Sequence, residues 1–216
     1  MAFQIEKVVY FVRHGQSEGN VAPVFQPPDS PLNERGILQA REIADRVSKI
    51  SFETLISSPL PRTKETAEAI ARATGKSIEF SELFIERIKP TRIHGKRYDD
   101  AEADKIWRQW ELSLYTQGVK VEDGEDFDDL TKRADAALEF LQKRPEHDLV
   151  VVTHGFFLRT IIARILLADS LTGPALKNFQ THSKTENTGL SVIMHGAQDG
   201  SAIWKLWIYN DHSHLG

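Results

Sequence analysis

The sequence predicts an α/β fold, a three-layer sandwich with a mostly parallel central sheet, helices on both faces and a small helical cap insertion. The first observation is that short apolar runs, typical of buried strands, alternate along the chain with segments that repeat apolar residues at helical spacing. The second is that the clearest runs, residues 8–12 and 149–152, are continuously apolar, as strands covered by helices on both faces are. Right-handed crossovers between parallel strands place the helices on both sides of the sheet.

The first half of the chain contains three predicted strands and two predicted helices. Asn33 is a suitable N-cap for the first helix, and Gly75 ends the second. In chain order, the predicted elements are a strand at residues 8–12, a helix at 33–49, a strand at 54–57, a helix that follows Pro61 and runs to about residue 73, and a strand at 77–80.

The second half begins with a polar loop at residues 81–98 and continues through two helical patterns, broken by Gly118 and Gly124. Its predicted elements are helices at residues 99–115 and 125–143, a strand at 148–153, a helix at 156–167 and a hairpin of strands at 189–195 and 202–209. We therefore expect one domain over residues 1–216, with the cap inserted at about residues 88–125.

Composition narrows the possible functions. The chain of 216 residues contains no cysteine, which excludes disulfides, thiolate metal sites and cysteine nucleophiles. Its formal net charge of −4 argues against general affinity for nucleic acid, so we expect no nucleic-acid partner. No apolar run approaches the length of a membrane span and no signal peptide is visible, so we expect a cytoplasmic protein without a membrane partner. The sequence leaves the oligomeric state open.

Two histidines and two arginines are predicted to meet at one edge of the sheet. His14 and His154 each follow an apolar strand, and Arg13 directly precedes His14. Arg62 stands at the start of the helix after the strand at residues 54–57. Loops at the carboxyl ends of parallel strands form the ligand crevice of such folds. Guanidinium groups and helix N-termini both favour phosphate, so this set predicts a phosphoryl site.

The segment from Arg13 to Asn20, Arg-His-Gly-Gln-Ser-Glu-Gly-Asn, resembles the signature of the histidine phosphatase superfamily, the phosphoglycerate mutase-like proteins. The resemblance continues in order along the chain. Further segments similar to motifs of this family lie at residues 32–36, 57–67, 123–125 and 151–155.

This resemblance implies a role for each matching residue. His14 is expected to be the nucleophile that becomes phosphorylated. The phosphoryl oxygens are expected to be bound by Arg13, Arg62 and His154, with Asn20 as a further contact. The family needs no metal, and we expect no cofactor.

Glu86 best matches the proton donor of the family, because it follows the third predicted strand. Neighbouring carboxylates remain alternatives, namely Glu82, Asp99, Asp100 and Glu102. After Glu86 the sequence departs from the common aromatic-glycine pattern and has a basic segment at residues 87–97 instead. This segment is either a solvated loop or a lid in which Arg92 and Lys96 contact an anionic part of the substrate.

The predicted function is hydrolysis of a phosphate monoester, with a small phosphorylated metabolite as substrate. His14 attacks phosphorus, and Glu86 protonates the leaving oxygen and later activates water. Three alternatives stay open: a phosphomutase of the phosphoglycerate mutase type, a phosphatase of phosphohistidine proteins, and a non-catalytic module that binds phosphate or protein.

Overall fold

A six-stranded sheet lies at the centre of the part of the chain that the computed structural model describes, residues 3–116 and 118–216. Met1, Ala2 and Gln117, the last within the predicted cap, lie outside it. The strand order is β3-β2-β4-β1-β5-β6. The first four strands of this order are parallel, whereas β5 is antiparallel to β1 and β6 to β5. The strands are β1 (Gln4–Arg13), β2 (Thr54–Ser57), β3 (Ile78–Phe80), β4 (Asp148–Thr153), β5 (Leu190–Gln198) and β6 (Ser201–Asp211).

Helices cover both faces of this sheet, which confirms the predicted three-layer α/β fold. One face packs against α2 and α3, and the other against α5, α6 and α7. The helices of the described residues are α1 (Glu18–Val21), α2 (Glu34–Val47), α3 (Pro61–Thr74), α4 (Ala101–Leu112), α5 (Phe127–Lys143), α6 (Gly155–Leu167) and α7 (Gly173–His182). None of these helices is long and apolar enough to cross a membrane.

The continuous apolar run of β1 is explained by its position between two cores. Val9 and Phe11 pack with α5 and α6, whereas Val8 and Val12 pack with α2 and α3. Successive side chains of a strand point to opposite faces, so a strand that is buried on both faces needs an apolar residue at every position. Val9, Phe11 and Val12 are fully buried.

Helix ends agree closely with the local sequence signals. The side chain of Asn33 accepts a hydrogen bond of 2.9 Å from the backbone N–H of Gly36, as an N-cap does. Gly75 has a φ of 70° at the C-cap of α3, a left-handed conformation that glycine adopts without strain. By contrast, residues 173–182 form α7, although their sequence pattern predicts no helix or strand.

The region predicted as a cap contains a small core of its own. Between β3 and α5, the chain forms two short 3-10 turns and the helix α4. Ile93, Ala103 and Ile106 from this region pack with Phe25, which belongs to the loop between α1 and α2, and Trp107 adds to the cluster. This region is therefore held against the loop that follows α1.

Candidate active site

The carboxyl ends of β1 and β4 bring the two predicted histidines together. These strands are adjacent and parallel, and Arg13 is paired with Thr153. The next residues, His14 and His154, consequently leave the sheet side by side. Their ring centroids lie 5.1 Å apart, and both side chains are buried. The shared edge predicted from the sequence is therefore present.

The environment of His14 favours its neutral form. Burial lowers the pKa of His14 well below its usual range, and the charges of Arg62 and Arg13 lower this pKa further. Nδ1 of His14 lies 2.6 Å from the carbonyl oxygen of Gly15, a distance at which Nδ1–H donates to it. This bond leaves the unprotonated nitrogen of the ring at Nε2, where the lone pair is available to a substrate.

Three buried nitrogen atoms beside His14 have no hydrogen-bond partner within the described residues. They are Nε of Arg13, Nε of Arg62 and Nδ1 of His154. Each of these side chains is held elsewhere: Arg13 by the carbonyl of Thr185, Arg62 by that of Pro28 (2.9 Å) and His154 by the hydroxyl of Ser58 (2.9 Å). Unpaired buried polar atoms are costly, and the two guanidinium groups, together with a His154 ring that carries its proton on Nδ1, are suited to bind an anion.

Glu86 is held next to His154 by the start of helix α6. Its carboxylate accepts hydrogen bonds from the backbone N–H groups of Phe157 (2.9 Å), Phe156 (3.2 Å) and Arg87 (3.0 Å). Because α6 begins directly after His154, one helix N-terminus orients both the carboxylate and the histidine. The carboxyl group faces the arginines of the site, and its charge acts on both Arg13 and Arg62.

Most of the alternative carboxylates have other partners. Asp99 pairs with Arg97, and Glu102 lies 3.5 Å from Arg92. Asp100 caps α4 by accepting hydrogen bonds from the first backbone N–H groups of that helix. Glu82 is exposed. The geometry therefore favours Glu86 as the carboxylate of the site.

An ion pair that the sequence analysis missed fixes the loop of Glu86. Nε and Nη2 of Arg133 each donate to one carboxylate oxygen of Glu125 at 2.7 Å, and the two side chains are largely buried. Arg133 also donates to the carbonyl of Ile85 (2.9 Å), while Glu125 accepts from the backbone N–H of Ile88 (2.9 Å). The only sequence signal near this pair is the motif match at residues 123–125, which does not indicate an ion pair with Arg133.

Asn20 lies at the exposed rim of the site. Its side-chain oxygen accepts hydrogen bonds from the backbone N–H of Ser17 (3.0 Å) and from the amide of Asn187 (3.4 Å). The same amide of Asn187 donates to the carbonyl of His14 (3.0 Å). The phosphate contact of Asn20 stays a prediction, and Asn187 is a neighbour that no motif indicated.

Basic residues after Glu86 have different surroundings. Arg92 lies 2.7 Å from Glu122, and Lys96 is exposed to solvent. Arg87 is buried, bridges to Glu111 and stacks on Trp110. Neither Arg92 nor Lys96 lines the cavity beside Glu86, so their contact with substrate stays a prediction.

The loop that carries His14 packs directly on helix α2. A Cβ atom on Gly36 would lie 1.9 Å from the carbonyl oxygen of Gln16, and one on Gly15 would lie 2.5 Å from the carbonyl oxygen of Gly36. Glycine at these two positions permits backbone-to-backbone contact. The first turn of α2 therefore fixes the position of the His14 loop relative to the sheet.

Comparison with known proteins identifies the family to which this sequence is similar. The family model of the histidine phosphatase superfamily (branch 1) matches residues 9–205. A probable phosphoglycerate mutase GpmB from Salmonella arizonae is 35% identical over 162 residues, which cover 73% of this chain and 74% of the relative.

Two solved structures illustrate the similarity of fold. The alpha-ribazole phosphatase from Shigella flexneri superposes with a TM-score of 0.76 at 20% identity, covering 94% of this chain and 96% of the other. The mycobacterial glucosyl-3-phosphoglycerate phosphatase, solved as a complex with VO3, has a TM-score of 0.71 at 22% identity, covering 94% and 99% of the two chains.

Proposed function

The chain belongs to the histidine phosphatase superfamily, branch 1, and from this premise we propose that it hydrolyses phosphate monoesters of small metabolites through a phosphohistidine on His14. One observation supports this proposal most directly. A neutral, buried His14 lies among three nitrogens that lack partners within the described residues, on Arg13, Arg62 and His154. These nitrogens are suited to the oxygens of a phosphoryl group.

In the first proposed step, Nε2 of His14 attacks phosphorus in line with the leaving oxygen. The N–P bond forms as the P–O bond to the leaving group breaks, and protonated Glu86 gives its proton to the departing oxygen. Arg13, Arg62 and His154 stabilise the charge on the three equatorial oxygens.

In the second step, the carboxylate of Glu86 takes a proton from water. The resulting hydroxide attacks phosphorus, the N–P bond breaks, and inorganic phosphate leaves with His14 neutral again. Glu86 is then protonated for the next cycle. No step of this mechanism needs a metal or a cofactor.

The test is to look for the covalent intermediate. Wild-type protein mixed with labelled aryl phosphate and quenched rapidly is expected to carry acid-labile phosphate on His14. Replacing the nucleophile, His14→Ala, should lower hydrolysis by at least about a thousandfold. The control is His182→Ala, because His182 is exposed at the end of α7. No hydrolysis across a broad panel of phosphoesters would refute the proposal and favour a binding module.

A phosphomutase is the second candidate, because relatives above 30% identity are named probable phosphoglycerate mutases. Both activities use the same four groups around phosphorus, but a mutase must protect its phosphohistidine from water. The lifetime of the labelled intermediate in buffer separates the two: a phosphatase loses the label within its turnover time, whereas a mutase retains it until an acceptor is added. The cytoplasmic location stays a prediction.

A further inference from the structure

A cavity of about 240 Å³ opens directly beside the proposed reacting groups, and its lining includes Arg62 and Glu86. Much of its remaining wall is apolar, with contributions from Pro28, Leu60 and Ile88. Glu86 would protonate the leaving oxygen. The leaving group would therefore depart on the side of Glu86 and enter this cavity. The side chains of this wall therefore face the part of the substrate that the phosphoryl site does not hold.

Lys89 contributes a cation to this wall. Among the residues that the structure describes, its Nζ has one hydrogen-bond acceptor, the carbonyl of Gln26, at the long distance of 3.4 Å. Within the described residues, no carboxylate lies at ion-pair distance from Nζ. Burial lowers the pKa of Lys89, and the negative charge of Glu86 only partly opposes this effect.

The other cationic side chains of residues 87–97 either pair with carboxylates or are exposed to water. Arg87 pairs with Glu111, Arg92 with Glu122 and Arg97 with Asp99. Lys96 is exposed, so water can solvate it. Lys89 differs from these residues because it is partly buried, weakly bonded and placed on the wall of the cavity. A partly buried cation of this kind gains most from an anion brought in by a ligand.

Lys89 also belongs to a second, outer cavity of about 480 Å³. This cavity includes Asn20, at the rim of the phosphoryl site, and an aromatic wall formed by Phe25, Tyr98 and Trp107. The rings of Phe25 and Trp107 lie 5.1 Å apart, which indicates a packed and ordered surface. Lys89 thus stands where the two cavities share a wall, within reach of a leaving group in either one.

We propose that Lys89 is a specificity-determining residue that binds a second anionic group, a carboxylate or a phosphate, on the leaving group of the substrate. The proposal rests on the proposed function for the position of the reacting phosphoryl group. The apolar wall between the phosphoryl site and Lys89 favours substrates in which a short, unbranched or apolar segment links the two anionic groups. Neutral alcohol phosphates of the same size bind without this contact.

The experiment compares substrates that differ only at the far end. The probes are ω-phosphonooxy carboxylates of increasing chain length, the alcohols in which CH₂OH replaces the carboxylate, and the corresponding bisphosphates. For the wild type, we expect kcat/KM to be about tenfold higher for an anionic probe than for its alcohol, as one charge-assisted hydrogen bond predicts. The carboxylate and bisphosphate arms show which anion fits.

Two variants and a control isolate the charge of Lys89. Lys89→Met is expected to reduce the preference for the anionic probe to about one, mainly through KM, and Lys89→Arg should retain most of it. Lys105→Met makes the same chemical change on the exposed surface of α4 and should keep the wild-type ratio. An unchanged preference in Lys89→Met, or no preference in the wild type, would overturn the proposal.

A binding measurement separates this proposal from the proposed function. Calorimetric affinities for the same probes are measured in His14→Ala and in His14→Ala combined with Lys89→Met. If the wild type turns over none of the probes, the proposed function fails, yet the affinity ratio still decides the role of Lys89. Loss of the ratio in the double variant supports anion binding by Lys89, and an equal ratio in both proteins contradicts it.

Discussion

At the scale of the residue, the site depends on keeping one imidazole neutral among cations. Burial and two guanidinium groups lower the pKa of His14, and the carbonyl of Gly15 fixes its tautomer. The same environment lowers the pKa of His154. Both rings can therefore act as neutral groups, one as a nucleophile and the other as a hydrogen-bond donor to phosphate.

The role of Glu86 can be tested through the leaving group. Glu86→Gln cannot donate a carboxylic proton, so kcat/KM for alkyl phosphates should fall by about 10²- to 10⁴-fold. For 4-nitrophenyl phosphate, whose leaving group needs little protonation, kcat/KM should fall far less. Steady-state kinetics across a series of leaving groups measures this difference. Glu82→Gln, an exposed residue four positions earlier, is the control, and a uniform loss in Glu86→Gln would count against general acid catalysis.

Short contiguous motifs in the sequence indicated His14 and Arg62 as candidate site residues. They did not indicate Arg133 or Asn187, because these two residues come close to Glu86 and His14 only through tertiary structure. Lys89 is one of several basic residues in a loop, and only the packing of that loop distinguishes a cation on a cavity wall from one in solvent. Local patterns carry no information on that difference.

At the scale of the element, helix α2 acts as a support for the nucleophile loop. Gly36→Ala would place a Cβ atom 1.9 Å from the carbonyl oxygen of Gln16, so the loop must shift. We expect a loss of about 1–3 kcal/mol in the free energy of unfolding, together with a lower kcat, because His14 moves with the loop. Urea denaturation and steady-state kinetics measure the two effects.

A substitution on the exposed face of the same helix, Glu42→Ala, serves as the control for Gly36→Ala. It keeps the length and packing of α2 and should change neither quantity appreciably. A fully active and stable Gly36→Ala variant would show that the backbone contact is not required.

Most elements were predictable because their periodicity and end signals are strong, as in α3, which ends at Gly75. Helix α7 was not predicted, for two physical reasons. It begins with Gly173 and Pro174, a pair that is typical of turns, although proline also fits the first turn of a helix. Gly173 is needed there because a Cβ atom would lie 2.3 Å from the carbonyl oxygen of Leu114, a contact between distant segments.

At the scale of the whole molecule, the two neutral histidines of the site make the free energy of unfolding depend on pH. In the unfolded chain, a histidine has a pKa near 6.5, whereas the pKa of His14 and of His154 is lowered in the folded protein. Below about pH 6.5 the unfolded state therefore binds more protons, and the free energy of unfolding falls as pH decreases. Stability is retained above this pH.

Replacing one of these histidines should reduce that dependence. In His14→Asn, the loss of unfolding free energy between pH 7 and pH 5.5 is expected to be about 1 kcal/mol smaller than in the wild type. Urea denaturation at the two pH values measures it. His182→Asn is the control, and an identical pH dependence in His14→Asn and in the wild type would contradict the assignment. The carboxylate of Glu146, whose pKa Arg144 lowers to about 2, titrates at lower pH and stays outside this window.

The position of β1 between β4 and β5 has a consequence for synthesis on the ribosome. The first strand to emerge has no partner until the chain has grown past Thr153, which takes roughly eight to thirty seconds at translation rates of about 5–20 residues per second. During that interval the apolar side chains of Val9 and Phe11 have no sheet to join. A nascent chain of this protein therefore brings His14 and His154 together only after most of its length has been translated.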